Sequence, residues 1–207
     1  MSIFFHHYLK NRIVAAPITK YVYEQAPAES LEIIASKARG GAGLVVLGSV
    51  AVNDQESVIM KGFSSSLYGP KKSMYQEELS IIHQYGARAS VELHHCGYFA
   101  GLMSPGAAPV GPTTQVIGMD GFQGYEGIMP QRKGDPGRPP MEKLAVGMDE
   151  VRMQMVINDY VRSALTAKEM GFDMIMLHFA HGWLPAQFMS PFFNHRTDKY
   201  GGCFENR

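Results

Sequence analysis

The chain has 207 residues, 45% of them apolar, and its 19 basic and 19 acidic side chains cancel. That composition is globular and long enough for one sizeable core, and its neutral balance carries no electrostatic footprint for nucleic acid or an anionic membrane surface. No apolar run approaches the ~18 residues of a membrane span, and Cys96 and Cys203 are too few for a disulfide framework, so a cytoplasmic protein with reduced thiols is expected.

Arg12-Ile13-Val14-Ala15-Ala16 reads as a short strand ended by Pro17 and followed by Ile18-Thr19. Pro27 and Glu29 open a helix whose apolar positions Leu31, Ile34, Ala35 and Ala38 fall at helical spacing before the stop at Gly40-Gly41. Leu44-Val45-Val46-Leu47 is an uninterrupted apolar run, as in a parallel strand buried on both faces. A second helix spans roughly Lys71 to Tyr85, with Tyr75, Leu79 and Ile82 on one side and Gly86 as its stop. Ala89, Val91 and Leu93 then alternate with Ser90 and Glu92, predicting a strand whose second face is polar and turned away from packed core.

The stretch from Tyr98 to Gly147 is rich in Gly and Pro and has no sustained periodicity, so it reads as a long functional connection. Asp149 is a plausible N-cap for a helix running to Met170, lined on one side by Met153, Val156, Tyr160, Ala164 and Ala167 and stopped by Gly171. Met174-Ile175-Met176-Leu177 is another strand, and it turns polar at His178.

Four strands, each followed by helical sequence, give a parallel α/β arrangement, whose right-handed crossovers put the strand carboxyl ends on one rim. That rim would gather Pro17-Ile18-Thr19, Gly48-Ser49, Glu92 with His94-His95-Cys96, and the pair His178 and His181. A doubly wound dinucleotide fold is disfavoured, because Gly40-Gly41-Ala42-Gly43 follows a helix and precedes a strand, the reverse of a phosphate-binding glycine turn. A metal site built from His94, His95, Cys96, His178 and His181 has no recognised ligand spacing, and Cys96 with His95 cannot form a nucleophile pair if both lie on one strand.

Leu177-His178-Phe179-Ala180-His181-Gly182-Trp183-Leu184, the segment Gln187-Phe188-Met189-Ser190-Pro191, and the run Asn194 through Arg207 closely follow a pattern of one enzyme family. They resemble the NADH:flavin oxidoreductases of the old yellow enzyme family, with its 2,4-dienoyl-CoA reductase branch, and the resemblance extends from Asn11 over nearly the whole chain. It implies a TIM (β/α)8 barrel, of which residues 1–207 would form a single partial FMN-binding domain. This domain would comprise roughly the first four βα units, with the long connection at about 98–147.

The same resemblance implies FMN as cofactor, NADH or NADPH as reductant, and an alkene conjugated to a carbonyl as small-molecule substrate. His178 and His181 would hold the substrate carbonyl oxygen. Ala16, Pro17 and Ile18 would lie along the flavin, Thr19 near its O4, Ser49 at its pyrimidine end, and Glu92 where the family has a flavin-binding Gln. An ionised Glu92 would only accept hydrogen bonds and would oppose charge on a reduced flavin. Tyr98 replaces the usual Arg, and Trp183 the usual proton-donating Tyr.

A full barrel takes about 250 residues or more. The alternative function is therefore a catalytically inactive half-barrel, or an assembly-dependent module that needs a partner chain to bind flavin. Its uncovered strand edges would favour a homo-oligomer.

Overall fold

The computed structural model describes residues 8–18, 27–58, 65–100, 109–118 and 142–207. The main sheet has four parallel strands: β1 (Val14–Ala15), β2 (Leu44–Ala51), β3 (Arg88–His94) and a strand spanning Met174–Leu177, side by side in chain order. Between them run α1 (Pro27–Arg39), α2 (Lys72–Gln84) and α3 (Glu150–Met170).

Helix ends are set by local chemistry. The Asp149 carboxylate accepts a hydrogen bond from the Arg152 amide at 2.8 Å and caps α3, while Gly171 at φ 97° closes it in the left-handed conformation a Cβ would oppose. In α1, Glu29 in the first turn and Lys37 and Arg39 in the last complement the helix dipole.

The three helices cover one face of the sheet. Ile34 and Ala38 from α1, Leu79 and Ile82 from α2 and Ala167 from α3 pack on Val45, Leu47, Ala89, Val91 and Leu93. Register fixes the opposite face, since Val46 pairs with Ser90, Ser90 with Met174, and Glu92 with Met176.

Three expectations change. The first strand pairs only through Val14 and Ala15 and leaves Ile13 exposed, as befits a sheet edge with a neighbour on one side. The polar second face of β3 is buried, with Ser90 fully covered and Glu92 only 8% exposed. The long connection without sustained periodicity carries, among its described residues, a 3-10 turn (Gly97–Phe99) and three strands, β4 (Val110–Gly111), β5 (Gln115–Gly118) and β6 (Glu142–Gly147). These form a second sheet in the order β4-β6-β5, parallel in one pair and antiparallel in the other. Such strands leave no clear period in the sequence, being short and exposing Val116, Leu144 and Val146. The Met174–Leu177 strand is therefore β7 and is followed by α4 (Leu184–Met189).

Candidate active site

The parallel pairing of β1, β2, β3 and β7 brings their carboxyl ends to one rim. Ala16, Pro17 and Ile18 leave β1 there, with Ala16 and Ile18 exposed and Pro17 half-buried, and Thr19 lies outside the described residues. In β2 the register to β3 shifts between Leu47 and Val50, and the half-buried Ser49 sits in that irregularity. The backbone of Gly48 approaches β3 so closely that an added Cβ would lie 2.8 Å from the Cβ of Glu92. A side chain there would push Glu92 out of place.

Glu92 and His178 converge from β3 and from the end of β7, each 8% exposed, with Oε1 3.6 Å from Nδ1. On its other side, His178 Nε2 stands 3.1 Å from Nδ1 of His181, and the two rings meet edge to face at a centroid separation of 4.9 Å. His181 takes the left-handed conformation, φ 54°, and Gly182 follows at φ 69°, so the chain turns back tightly enough to bring both imidazoles together. Trp183 then packs against His94 and Phe99, each ring centroid 5.8 Å away, and stands 6.0 Å from His178.

Burial governs the charges. It lifts the Glu92 carboxyl to about 7, and it lowers His178 to about 4, with His181 adding to the effect. His94, fully enclosed and next to His178, falls to about 3. Burial thus keeps His178 and His94 uncharged at neutral pH and strengthens the hold of Glu92 on its proton. Desolvation therefore opposes the ionised form of Glu92 considered from the sequence.

A residue not singled out from the sequence holds the site together. Gln187 of α4 is fully buried; its Oε1 accepts from the Tyr98 amide at 3.1 Å, and its Nε2 donates to the carbonyls of Cys96 at 3.2 Å and Gly182 at 2.7 Å. The signals were its place in the family-like segment Gln187-Phe188-Met189-Ser190-Pro191 and a polar side chain inside an otherwise apolar six-residue helix. Tyr98 is buried scaffolding, its hydroxyl donating to the Thr113 carbonyl at 2.6 Å and accepting from the Thr113 amide at 2.9 Å. Arg196 ties loops together, donating to the carbonyls of Pro112 at 2.9 Å and Met148 at 2.6 Å and pairing with Asp198. Cys96 is fully buried under the site, and among the described residues no three His, Cys, Asp or Glu side chains are grouped to hold a metal ion.

Residues 4–207 match the model of the NADH:flavin oxidoreductase / NADH oxidase family. The chain belongs to that family. It is 34% identical to an NADPH dehydrogenase of Listeria monocytogenes over 96% of its own length and 53% of the relative's, and 31% identical to one of Halalkalibacterium halodurans. Among solved structures it resembles morphinone reductase in complex with tetrahydroNAD, at TM-score 0.75 and 26% identity, covering 96% of this chain and 53% of that one. It also resembles the old yellow enzyme homologue of Zymomonas mobilis, at TM-score 0.76 and 25% identity, covering 98% and 54% of the two chains. The chain thus spans about half the length of the curated relatives it matches. Its four-stranded parallel sheet with helices outside is the corresponding part of the old yellow enzyme TIM barrel. FMN and NADH or NADPH are the cofactors of this family.

Proposed function

We propose that this chain carries the substrate-binding rim of an FMN-dependent ene-reductase, in which hydride passes from NADH or NADPH through FMN to an alkene conjugated to a carbonyl. The observation that carries the reading is the convergence of His178 and His181, 3.1 Å between facing nitrogens, at the strand ends beside the buried Glu92. The two imidazoles are close enough for one carbonyl oxygen, gaining negative charge as hydride arrives, to replace their mutual contact and accept from both.

The residues present fit the ring end of FMN. Exposed Ala16 and Ile18 offer apolar surface to a flat ring, and Ser49 offers a hydroxyl. Glu92 offers a carboxyl oxygen that accepts from the ring N–H of a pyrimidine edge. Thr19 is assigned to the same ring by the family resemblance. Bound FMN supplies the hydride chemistry. This chain's part is to orient the substrate oxygen through His178 and His181, and to fix those imidazoles through Glu92 and Gln187.

A second reading is favoured by the apolar groove of about 440 Å³ between α3, the end of β7 and α4, lined by Ile157, Val161, Leu177, Phe179 and Phe188. There the chain acts as an assembly-dependent module that binds flavin only with further barrel strands. An absorption spectrum of the purified protein, followed by stopped-flow reduction with NADPH and reoxidation by 2-cyclohexenone, tests both. Bound flavin reoxidised by the enone supports the enzyme, flavin binding only after a complementary barrel half is added supports the module, and flavin that the enone never reoxidises removes the ene-reductase reading.

A further inference from the structure

Glu92 pairs across the sheet with Met176, two positions before His178, so the Glu92 and His178 side chains leave the same face. Their separation, Oε1 to Nδ1 at 3.6 Å, is a few tenths of an ångström beyond a hydrogen bond, and a small side-chain rotation closes it. The other nitrogen, Nε2, points to His181, which is exposed at the mouth of the site. A buried acid therefore stands behind the imidazole, and the ligand side lies in front of it.

The two nitrogens of an imidazole are not independent, because the bond made by one decides where the proton of the other sits. With one dissociable proton on the pair, a protonated Glu92 donates to Nδ1, or an ionised Glu92 accepts from an imidazolium. In both cases Nε2 carries a hydrogen. When that proton leaves, Nδ1–H donates to the carboxylate, and Nε2 becomes a bare acceptor. It can then no longer stabilise negative charge on an oxygen.

We propose that Glu92 is the positioning residue that sets the tautomer of His178, so that one proton shared by the pair decides whether Nε2 presents a hydrogen or a lone pair to His181 and the mouth of the site. The ligand half of this statement rests on the proposed function; the proton sharing does not.

Of the neighbouring groups, only His181 among the described residues bears on the titration of the pair, holding the His178 imidazole down. From β3, His94 is 1% exposed and its affinity for a proton is lowered to about 3, so it stays neutral. From β2 the nearest residues are Gly48 and Ser49, neither of which ionises at working pH, and Trp183 contributes an indole N–H that does not ionise either. His181, on the same turn as His178, is the remaining titratable group facing the ring among the described residues. Burial places the proton's release near neutral pH, Glu92 being lifted to about 7.

The test is nitrogen NMR of the His178 ring in histidine-labelled protein without flavin or substrate, followed through neutral pH in the wild type and in Glu92→Gln. In the wild type, Nε2 should change from protonated to bare as pH rises through about 7, whereas in Glu92→Gln the tautomer should stay fixed over that range. A single unchanging tautomer in the wild type overturns the proposal even if the variant does not fold, and so does an inversion that persists in Glu92→Gln. In flavin-loaded protein, kcat/KM for 2-cyclohexenone should fall about tenfold per pH unit above the same midpoint and lose that fall in Glu92→Gln. An unaltered profile in the variant overturns the ligand half. A protein that shows the NMR inversion yet reduces no enone supports the proton sharing and rejects the proposed function.

Discussion

The buried side chain of Gln187 accepts a hydrogen bond from the amide of Tyr98 at 3.1 Å, joining two loops that are far apart in the chain. Its amide group also donates to Cys96 and Gly182, so the exit of β3 and the turn carrying His181 are fixed to one another. Gln187→Leu removes three bonds and strands buried backbone groups, at an expected cost of about 2–4 kcal/mol. Urea unfolding measures it, and a loss below about 0.5 kcal/mol would show that the loops hold their positions without this residue.

Glu78 gives stability an opposite pH dependence from the usual carboxylate. It is 2% exposed in α2, and burial raises it to about 7, against the opposing hydrogen bond donated by Ser30 at 3.2 Å and the attraction of Lys37. The unfolded chain releases this proton near 4.5, while the folded chain keeps it to about 7, so stability falls as pH rises across that interval and the loss is complete above it. Glu78→Gln should therefore stabilise the protein by on the order of 2 kcal/mol at pH 8 and by little at pH 4. Equal effects at both pH values in denaturant titrations would contradict the assignment.

The outer surface of α3 is unusually apolar for a helix facing water, with Val151 70%, Met155 58% and Leu165 56% exposed. Together with the groove lined by Val161 and Phe179, it forms a contiguous apolar surface beside the free edge of β7. The 207-residue chain expressed by itself should self-associate through this surface. Light scattering should report a dimer or larger, and Val161→Glu combined with Phe179→Glu should shift the mass toward the monomer. A wild-type monomer at high concentration refutes this.

Two replacements of His178 should differ in their effect. His178→Ala removes a donor held from behind and should lower kcat/KM for an enone by about 10²–10³, whereas His178→Asn, which keeps an N–H donor, should lose less. Steady-state kinetics on flavin-loaded protein distinguishes these. Identical losses in the two variants would mean that His178 contributes shape rather than a hydrogen bond.

The sequence by itself determined the elements that have a period or a stop signal: α1 between Pro27 and Gly40, α3 from its Asp149 cap to Gly171, and β7 at Met174–Leu177. It also determined that residues following the parallel strands share one rim, since strand direction and right-handed crossover follow from local chirality. Only the tertiary structure decided that the polar face of β3 is buried, that Glu92 holds its proton more strongly, that His178 and His181 touch, and that Gln187 rather than a rim charge joins the two loops. The physical reason is that desolvation and hydrogen-bond partnership belong to groups brought together from distant parts of the chain: Glu92 is one residue type in the sequence, but burial, with the backbone of Gly48 lying against it, raises its hold on a proton.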